Sequence, residues 1–142
     1  MTYPKLRIYI ASSFDYAALC EAVAGAVIAK GHTVPDIWWN VRTKDDFRGK
    51  SESEFYDSPT VKSIAVRHWR TINSCDVVVL ISASAKKAFT GASVEVGYAI
   101  GKGIPVLSLG PLKRSAMYCP VTRCEDLVDL LKALDIIGGC PR

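Results

Sequence analysis

The sequence predicts a single-domain α/β fold, a doubly wound parallel sheet of about four or five strands flanked by helices. Segments typical of strands and of helices alternate along the 142 residues, which is the order that parallel sheets require. The run DVVVLI at residues 76–81 is largely β-branched and apolar, as in a central strand buried on both faces. The length suits one domain that buries a core without disulfides or metals. We therefore expect one domain of the flavodoxin-like or Rossmann-like class over residues 1–142.

The first part of the chain predicts a strand, a helix and a second strand. Residues 5–11 are apolar and short, as in a first strand. Asp15 can cap a helix over residues 16–30, because the apolar side chains of that segment share one stripe. A second strand is predicted over residues 33–39, and Pro35 places it at an edge of the sheet.

The middle of the chain combines an irregular segment with the clearest elements. Residues 40–57 show no period, and a connection of this length in a compact domain is typical of a functional lid or a mobile segment. Ser58 and Pro59 supply a capping hydroxyl followed by proline at the first helical position, which predicts a helix to about residue 73. The strand over residues 76–81 follows.

The last part of the chain predicts two more helices and one more strand. A helix is expected over residues 94–102 and a strand over residues 104–109. Thr122 and Glu125 have the spacing of a capping box, which predicts a last helix over residues 125–136. We find no internal repeat and no sign of a second domain.

Charge and cysteine usage argue against several classes of protein. The net charge of +4 is modest, and basic pairs at residues 86–87 and 113–114 are too sparse for a nucleic-acid track. No apolar stretch reaches ~20 residues, so no membrane span is expected. The five cysteines are odd in number and form no CxxC pair, which favours reduced thiols in the cytoplasm. Cys119, Cys124 and Cys140 lack the spacing of a zinc site, so no metal is expected.

The expected location of a small-molecule site follows from the fold class. In open parallel sheets, ligands bind beyond the carboxyl ends of the strands, where the strand order reverses. Three predicted loops at these strand ends are rich in small and hydroxyl residues: residues 12–15, 82–93 and 110–118. Such residues let a ligand approach backbone N–H groups at helix N-termini, although ordinary turn chemistry is an alternative explanation. The candidate binding residues in these loops include Ser12, Ser13, Phe14, Gly91 and Ser93.

Glu95 and a tryptophan pair are the most informative single positions. Glu95 is predicted in the first turn of its helix, where the helix dipole favours an ionised carboxylate. Such a carboxylate can attack the anomeric carbon of a sugar and form a covalent intermediate, or it can merely complement the dipole. Trp38 and Trp39 end the predicted second strand beside the crevice. Adjacent strand residues point to opposite faces, so at most one of the two tryptophans can stack on a nucleobase, and Trp39 is the candidate. Core packing is the alternative for either tryptophan.

Four short motifs together resemble one protein family. They are IYIASSF at residues 8–14, DVVV at 76–79, GASVEVGYA at 91–99 and GIPV at 103–106. They look like the nucleoside 2-deoxyribosyltransferase family, which includes deoxynucleotide and cytidine-monophosphate N-glycosidases. The spacing G-x-x-x-E-x-G-Y-A is the most specific of these elements. The resemblance extends over residues 6–117, and residues 40–57 match poorly.

The resemblance implies a role for several residues. Glu95 corresponds to the nucleophile that attacks C1′, and Tyr9 to a tyrosine that orients it. Ser13 corresponds to a first-loop position that contacts the 5′-phosphate in the nucleotide hydrolases. Ser115 and Met117 lie in a segment resembling one that reaches into the neighbouring subunit's site, where the serine binds the 5′ end. The resemblance therefore implies a homodimer or larger assembly with shared active sites.

Two positions depart from the family pattern. The family carries an aspartate, serving the leaving base or the 2′ side of the sugar, eight residues before the D-V-V-V aspartate, and this chain has His68 there. An imidazole can act as a general acid near neutral pH; a helix-surface or partly buried histidine is the alternative. Asp15 stands where the nucleotide hydrolases carry a phosphate-binding arginine. A carboxylate repels phosphate, which favours an uncharged 5′-hydroxyl unless Lys86, Lys87 or Arg114 compensates.

Together these observations predict an enzyme that cleaves the N-glycosidic bond of a (deoxy)nucleoside or nucleoside 5′-monophosphate. The reaction is expected to proceed through a covalent Glu95–sugar intermediate, with transfer to another base or to water. The alternative is a nucleotide-binding module of the same fold, with catalysis weakened or lost through His68. No cofactor is expected, since a carboxylate and a proton donor suffice. The expected partners are the small-molecule nucleoside or nucleotide and a second copy of the chain, without a membrane or a nucleic-acid polymer.

Overall fold

The computed structural model describes residues 5–39, 51, 53–54, 57–84, 89–113, 115 and 118–139. Within these residues, four strands form one parallel sheet in the order β1 (Ile8–Ala11), β2 (Val77–Ile81), β3 (Val106–Leu109) and β4 (Thr122–Cys124). The flanking helices are α1 (Ala17–Ala29), α2 (Pro59–Asn73), α3 (Thr90–Gly101) and α4 (Leu127–Gly139), and a 3₁₀ turn, Phe14–Tyr16, precedes α1. The predicted fold class is confirmed.

The central pair of strands forms the middle of the core. Every residue of β1 and β2 is buried, which explains why both are apolar without alternation. Their register pairs Ile8 with Val77 and Ala11 with Leu80. The carboxylate of Asp76 accepts the backbone N–H of Arg7 at 2.8 Å, so this residue fixes how the two strands begin.

The strand order reverses at β1. On the edge of β1 that faces away from β2, Arg7 and Thr33 form a parallel bridge, and the Ile8 N–H donates to the Thr33 carbonyl at 2.8 Å. The chain therefore pairs first on one side of β1 and later on the other, and a reversal of this kind predicts a crevice beyond the carboxyl ends of β1 and β2. The predicted strand over residues 33–39 is wrong beyond this bridge, because Pro35 offers no N–H and residues 38–39 form a turn.

The two helices beside this crevice begin differently from each other. The start of α2 is confirmed, because the Ser58 hydroxyl accepts the Val61 N–H at 3.3 Å and Pro59 occupies the first turn. Helix α3 starts at Thr90, four residues before the predicted start, with Ser93 N–H donating to the Phe89 carbonyl at 2.8 Å. Small residues that predicted a loop form its first turn instead. Glu95 is consequently the sixth residue of α3, and the prediction that it lies in the first turn is wrong.

The last strand and helix also differ from the prediction. Residues 122–124 were expected to cap a helix, but they pair with β3 as β4. The cap lies further along, where the Asp126 carboxylate accepts the Asp129 N–H at 2.9 Å and the Asp129 carboxylate accepts the Glu125 N–H at 3.3 Å. These two carboxylates accept backbone N–H groups at the start of the helix, so α4 begins and ends later in the chain than predicted.

Gly110 keeps the carboxyl ends of β2 and β3 together. Its φ of 91° lies in the left-handed region, and an added Cβ would stand 1.9 Å from the Ser82 carbonyl oxygen. The Ser82 N–H donates to the Leu109 carbonyl at 3.0 Å in the same place. This position therefore requires glycine for both conformation and space.

Other predictions concern membrane spans, thiols and the irregular segment. No helix in the described part of the chain has the length and apolarity needed to cross a membrane. Four cysteines are free thiols, of which Cys119 alone is exposed: Cys20, Cys75, Cys119 and Cys124. Residues 40–50, which make up most of the predicted lid, lie outside the described residues, as does Cys140.

Candidate functional site

Three predicted catalytic side chains meet on one side of the sheet. His68 of α2 and Glu95 of α3 are in direct contact, with 3.1 Å between Nδ1 and Oε1. The ring of Tyr9 from β1 packs edge-on to the His68 ring, 5.9 Å between centroids. The side chains of His68 and Glu95 are only 14% and 15% exposed, so the contact is largely shielded from solvent. This arrangement brings together a phenol, an imidazole and a carboxylate from three separate elements.

Helix packing explains why these side chains converge. Helix α3 lies on β1, β2 and β3, and α2 packs beside α3. Val96 and Ala99 of α3 are buried, which puts Glu95 at the edge of its buried face and towards α2. Further along the same seam, the rings of Trp69 and Tyr98 stack at 6.3 Å. The His68–Glu95 contact is thus held on the inner side of a helix–helix interface.

Asp36 adds a second carboxylate that the sequence did not single out. It is 9% exposed, and its Oδ2 lies 3.8 Å from His68 Nε2. Arg67 contacts both of its oxygens, with Nε at 3.3 Å from Oδ2 and Nη2 at 3.4 Å from Oδ1. The imidazole of His68 therefore lies between the carboxylates of Asp36 and Glu95. One signal was available: Asp36 is an acid in an otherwise apolar run at the end of the segment that bridges β1.

Tyr9 has the most perturbed environment in the cluster. Burial raises the pKa of its phenol, and the nearby Glu95 carboxylate raises it further through its charge and its proximity as an acceptor. Tyr9 lies within β1, and it is fully buried. Its hydroxyl oxygen and His68 Nε2 are both buried, and neither has a hydrogen-bond partner of full geometry among the described residues. The phenol is therefore a neutral O–H group, able to donate to Glu95 or to a bound polar atom.

The first loop is organised mainly by its own hydrogen bonds. The hydroxyl of Ser12 donates to the Ile81 carbonyl at 2.7 Å, which joins the ends of β1 and β2. The hydroxyl of Ser13 accepts the Asp15 N–H at 3.3 Å and caps the 3₁₀ turn. Phe14 packs edge-on to Trp38 at 5.2 Å. These residues follow the carboxyl end of β1, where the crevice is predicted.

The two adjacent tryptophans are both buried. Trp38 donates its indole N–H to the Ile10 carbonyl at 2.6 Å, and its ring lies 6.4 Å from the His68 ring. Trp39 donates to the Glu21 carboxylate on α1 at 2.6 Å. The two rings pack edge to face at 5.6 Å, because a turn rather than a strand presents them. Trp38 is thus the tryptophan that touches the cluster, whereas Trp39 directs its polar atom towards α1.

The remaining predicted binding residues lie around α3 and the loop after β3. Gly91 is exposed in the first turn of α3, and the Ser93 hydroxyl shares a 2.7 Å hydrogen bond with the Tyr118 hydroxyl. Ser115 is exposed in the loop between β3 and β4. Met117 lies outside the described residues. Ser93 and Tyr118 therefore tie this loop to α3, close in sequence to Glu95.

A separate basic trough of about 600 Å³ lies on the outer surface of α2. It is lined by residues of α2 and its C-cap: Lys62, Ser63, Val66, Arg67, Arg70, Thr71 and Ser74. These side chains come from one helix alone, so the trough lacks the facing wall that a small-molecule site needs. It does not include His68 or Glu95.

The Tyr9–His68–Glu95 cluster, with Asp36 behind the imidazole, can hold a nucleophile, a proton and a hydrogen-bond donor in one shielded place. Among the described residues, no group of three or more His, Cys, Asp or Glu side chains is placed to hold a metal ion. The chain matches no protein-family model, and no curated protein matches it significantly. Any assignment of function therefore depends on this geometry and on the sequence motifs.

Proposed function

We propose that this protein cleaves the N-glycosidic bond of a (deoxy)nucleoside or nucleoside 5′-monophosphate, with Glu95 as the nucleophile. The observation that supports the proposal most directly is the 3.1 Å contact between His68 and Glu95 in a shielded position beside β1. A binding site needs no ionisable pair of this kind, whereas a glycosyl transfer needs a nucleophile and a proton donor close together. The motifs around Tyr9 and Glu95 add the resemblance to nucleoside 2-deoxyribosyltransferases.

In the proposed first step, a Glu95 carboxylate oxygen attacks C1′ of the sugar. A C1′–O ester bond forms while the C1′–N bond breaks, and the base leaves with the bonding electron pair. A proton from His68 neutralises the departing base. In the second step, water or another base attacks C1′, the C1′–O ester bond to Glu95 breaks, and the His68 imidazole takes up the proton that the acceptor loses. Two displacements at the same carbon retain the configuration when a second base is the acceptor.

The distance between His68 and Glu95 constrains how the substrate approaches. Retaining glycosidases hold nucleophile and acid about 5–5.5 Å apart, across the sugar. The 3.1 Å between His68 and Glu95 leaves no such room. We infer that the sugar displaces the imidazole from the carboxylate as it binds. That displacement frees the nucleophile and the Nδ1 proton together, so neither is available before the substrate arrives.

Tyr9 is proposed to orient the nucleophile. Because its phenol is neutral and buried next to Glu95, it can donate a hydrogen bond to one carboxylate oxygen and leave the other for C1′. Ser13 and Phe14 are proposed to bound the sugar at the crevice rim. This assignment separates an orienting residue, Tyr9, from the nucleophile, Glu95, and from the proton donor, His68.

The proposed working unit is a homodimer or larger assembly. Ser115 is exposed on the loop after β3, consistent with a residue that serves the site of a neighbouring chain. Sedimentation velocity at micromolar concentration is expected to give a dimer or larger species. A monomer at concentrations that sustain activity would contradict a shared site.

The direct test is chromatographic detection of free base. The protein is incubated with nucleosides and nucleoside 5′-monophosphates, ribo and deoxy, with and without an acceptor base. Wild-type protein is expected to release or exchange base, and Glu95→Gln to lose at least ~10⁴-fold in kcat because no nucleophile remains. Glu125→Gln, which removes an exposed carboxylate elsewhere, is the matched control and is expected to retain full activity.

His68 variants extend the test. His68→Gln is expected to lose about 10²–10⁴-fold in kcat, the usual contribution of a positioned acid. His68→Asp restores the acidic side chain found in the resembling family and is expected to recover part of that loss. If no substrate in the panel is cleaved while one of them raises the thermal midpoint, the binding-module alternative replaces the enzyme. Activity retained by Glu95→Gln would remove the proposed nucleophile.

A further inference from the structure

We propose that Asp36 is a positioning residue for His68: it keeps a proton on Nε2 and so makes Nδ1 the atom that delivers the proton. The inference deepens the proposed function and rests on it for its catalytic meaning. It starts from the placement of Asp36, whose Oδ2 lies 3.8 Å from His68 Nε2 on the side of the ring opposite Glu95.

The burial of Asp36 needs an explanation in physical terms. Carboxylates are seldom buried unless they are paired, and Asp36 is 9% exposed. Arg67 pairs with it, but the Arg67 side chain is 55% exposed and can reach a carboxylate in solvent equally well. The oxygen of Asp36 that faces His68 is Oδ2, and the same oxygen lies 3.3 Å from Arg67 Nε. A role confined to holding its loop on α2 through Arg67 requires neither the burial of Asp36 nor its closeness to the imidazole.

Carboxylates on both sides of the His68 ring determine which of its nitrogens carry a proton. An ionised carboxylate only accepts hydrogen bonds, so each carboxylate favours a proton on the nitrogen that faces it. Glu95 faces Nδ1 from α3, and Asp36 faces Nε2 from the segment after Thr33. Among the residues that the structure describes, the other ionisable group against the ring is Tyr9 from β1, and Arg67 lies behind Asp36. At 3.8 Å the Asp36 contact is longer than a hydrogen bond, and such contacts often tighten when a substrate binds.

The proposed device works as a pivot. When the sugar displaces the imidazole from Glu95, the Nε2–H remains directed at Asp36, and Nδ1 turns with its proton towards the base. The ring that donates carries a proton on each nitrogen, so after the Nδ1 proton is transferred to the base, the neutral ring keeps its proton on Nε2. Without Asp36, the ring is neutral and has a single proton, on Nδ1. That proton is donated in a hydrogen bond to Glu95, and Nε2 carries no proton.

The test uses ¹⁵N NMR of histidine-labelled protein at neutral pH. The chain has only two histidines, and His32 is an internal reference. Its Nδ1 accepts the Leu6 N–H at 3.2 Å, so its proton resides on Nε2. His68 Nε2 is expected to give a protonated-type signal in wild type and an unprotonated-type signal in Asp36→Leu, which has similar volume but accepts no hydrogen bond.

Arg67→Met is the matched control, because it removes the other partner of Asp36 and leaves the carboxylate beside His68. It is expected to keep the protonated-type Nε2 signal. An unprotonated Nε2 in wild type overturns the inference, as does an Asp36→Leu spectrum like that of wild type. Loss of the signal in Arg67→Met as well would make Asp36 only an anchor for its loop. If Asp36→Leu does not fold, the wild-type and Arg67→Met spectra still decide.

A kinetic measurement separates this inference from the proposed function. With a substrate that wild type cleaves, Asp36→Leu is expected to lose about 100-fold in kcat, the low end for a positioned acid, with KM changed by less than about 3-fold. Arg67→Met is expected to retain kcat. If wild type cleaves nothing, the proposed function fails while the NMR result stands by itself. Equal losses of kcat in both variants overturn the inference.

Discussion

Replacing Gly110 with alanine should destabilise the protein severely, because two independent costs coincide there. The backbone has φ of 91°, and the left-handed region costs a residue with a Cβ about 1–2 kcal/mol. The Cβ would also stand 1.9 Å from the Ser82 carbonyl oxygen, where real contacts stay above 3.0 Å. The obstacle is backbone, so β2 and β3 must separate at their ends, at an overpacking cost of about 1–3 kcal/mol. We expect a total loss of about 2–5 kcal/mol in the free energy of unfolding.

The assay is urea unfolding followed by tryptophan fluorescence, together with the thermal midpoint. For a chain of 142 residues, with an unfolding entropy of about 2.1 cal/mol/K per residue, this loss lowers Tm by roughly 7–17 °C. Gly25→Ala is the matched control, since Gly25 is exposed within α1 and an added Cβ meets nothing within 4 Å. That variant is expected to gain about 0.5–1 kcal/mol. A Gly110→Ala protein as stable as wild type would refute the reasoning from both the backbone and the close approach.

Two further predictions concern the buried phenol and the buried thiols. Tyr9→Phe removes a hydroxyl that has no full hydrogen bond among the described residues, so urea unfolding should show a stability within about 1 kcal/mol of wild type. The rate of base release should fall at least ~10-fold. Unchanged turnover would remove the orienting role of Tyr9. Burial raises the pKa of the Cys20 and Cys75 thiols from 9.0 to about 11, so folding favours the neutral thiols. The contribution of these thiols to stability is complete below about pH 9 and is lost as the pH rises to about 11. Urea midpoints measured across that range should show the decline. If a variant with both cysteines replaced by alanine declines equally, the thiols are not its cause.

The elements that could be predicted from sequence are those fixed by local chemistry. The apolar run of β2 is buried on both faces, and the Ser58–Pro59 start of α2 needs only neighbouring residues to form. The segment around Thr33 and strand β4 were mispredicted because pairing with another strand decides their conformation. The first pairs at a single bridge, and β4 pairs over only three residues. The start of α3 was mispredicted because glycine and small residues favour loops only weakly, and packing on the sheet outweighs that preference.

The candidate site was only partly predictable for a different reason. Position-by-position comparison with the resembling family singled out Tyr9 and Glu95 as candidates, and it treated His68 as a departure because an imidazole stands where that family has an acid. The structure puts the carboxylate of Asp36 against that imidazole from another part of the chain. A carboxylate paired with an imidazolium has the same net charge as a protonated carboxyl group, and it likewise carries a proton that can be released. In the proposed reaction, the proton donor at position 68 therefore depends on a side chain that is 32 residues away in sequence and adjacent in space, which no comparison of single positions reveals.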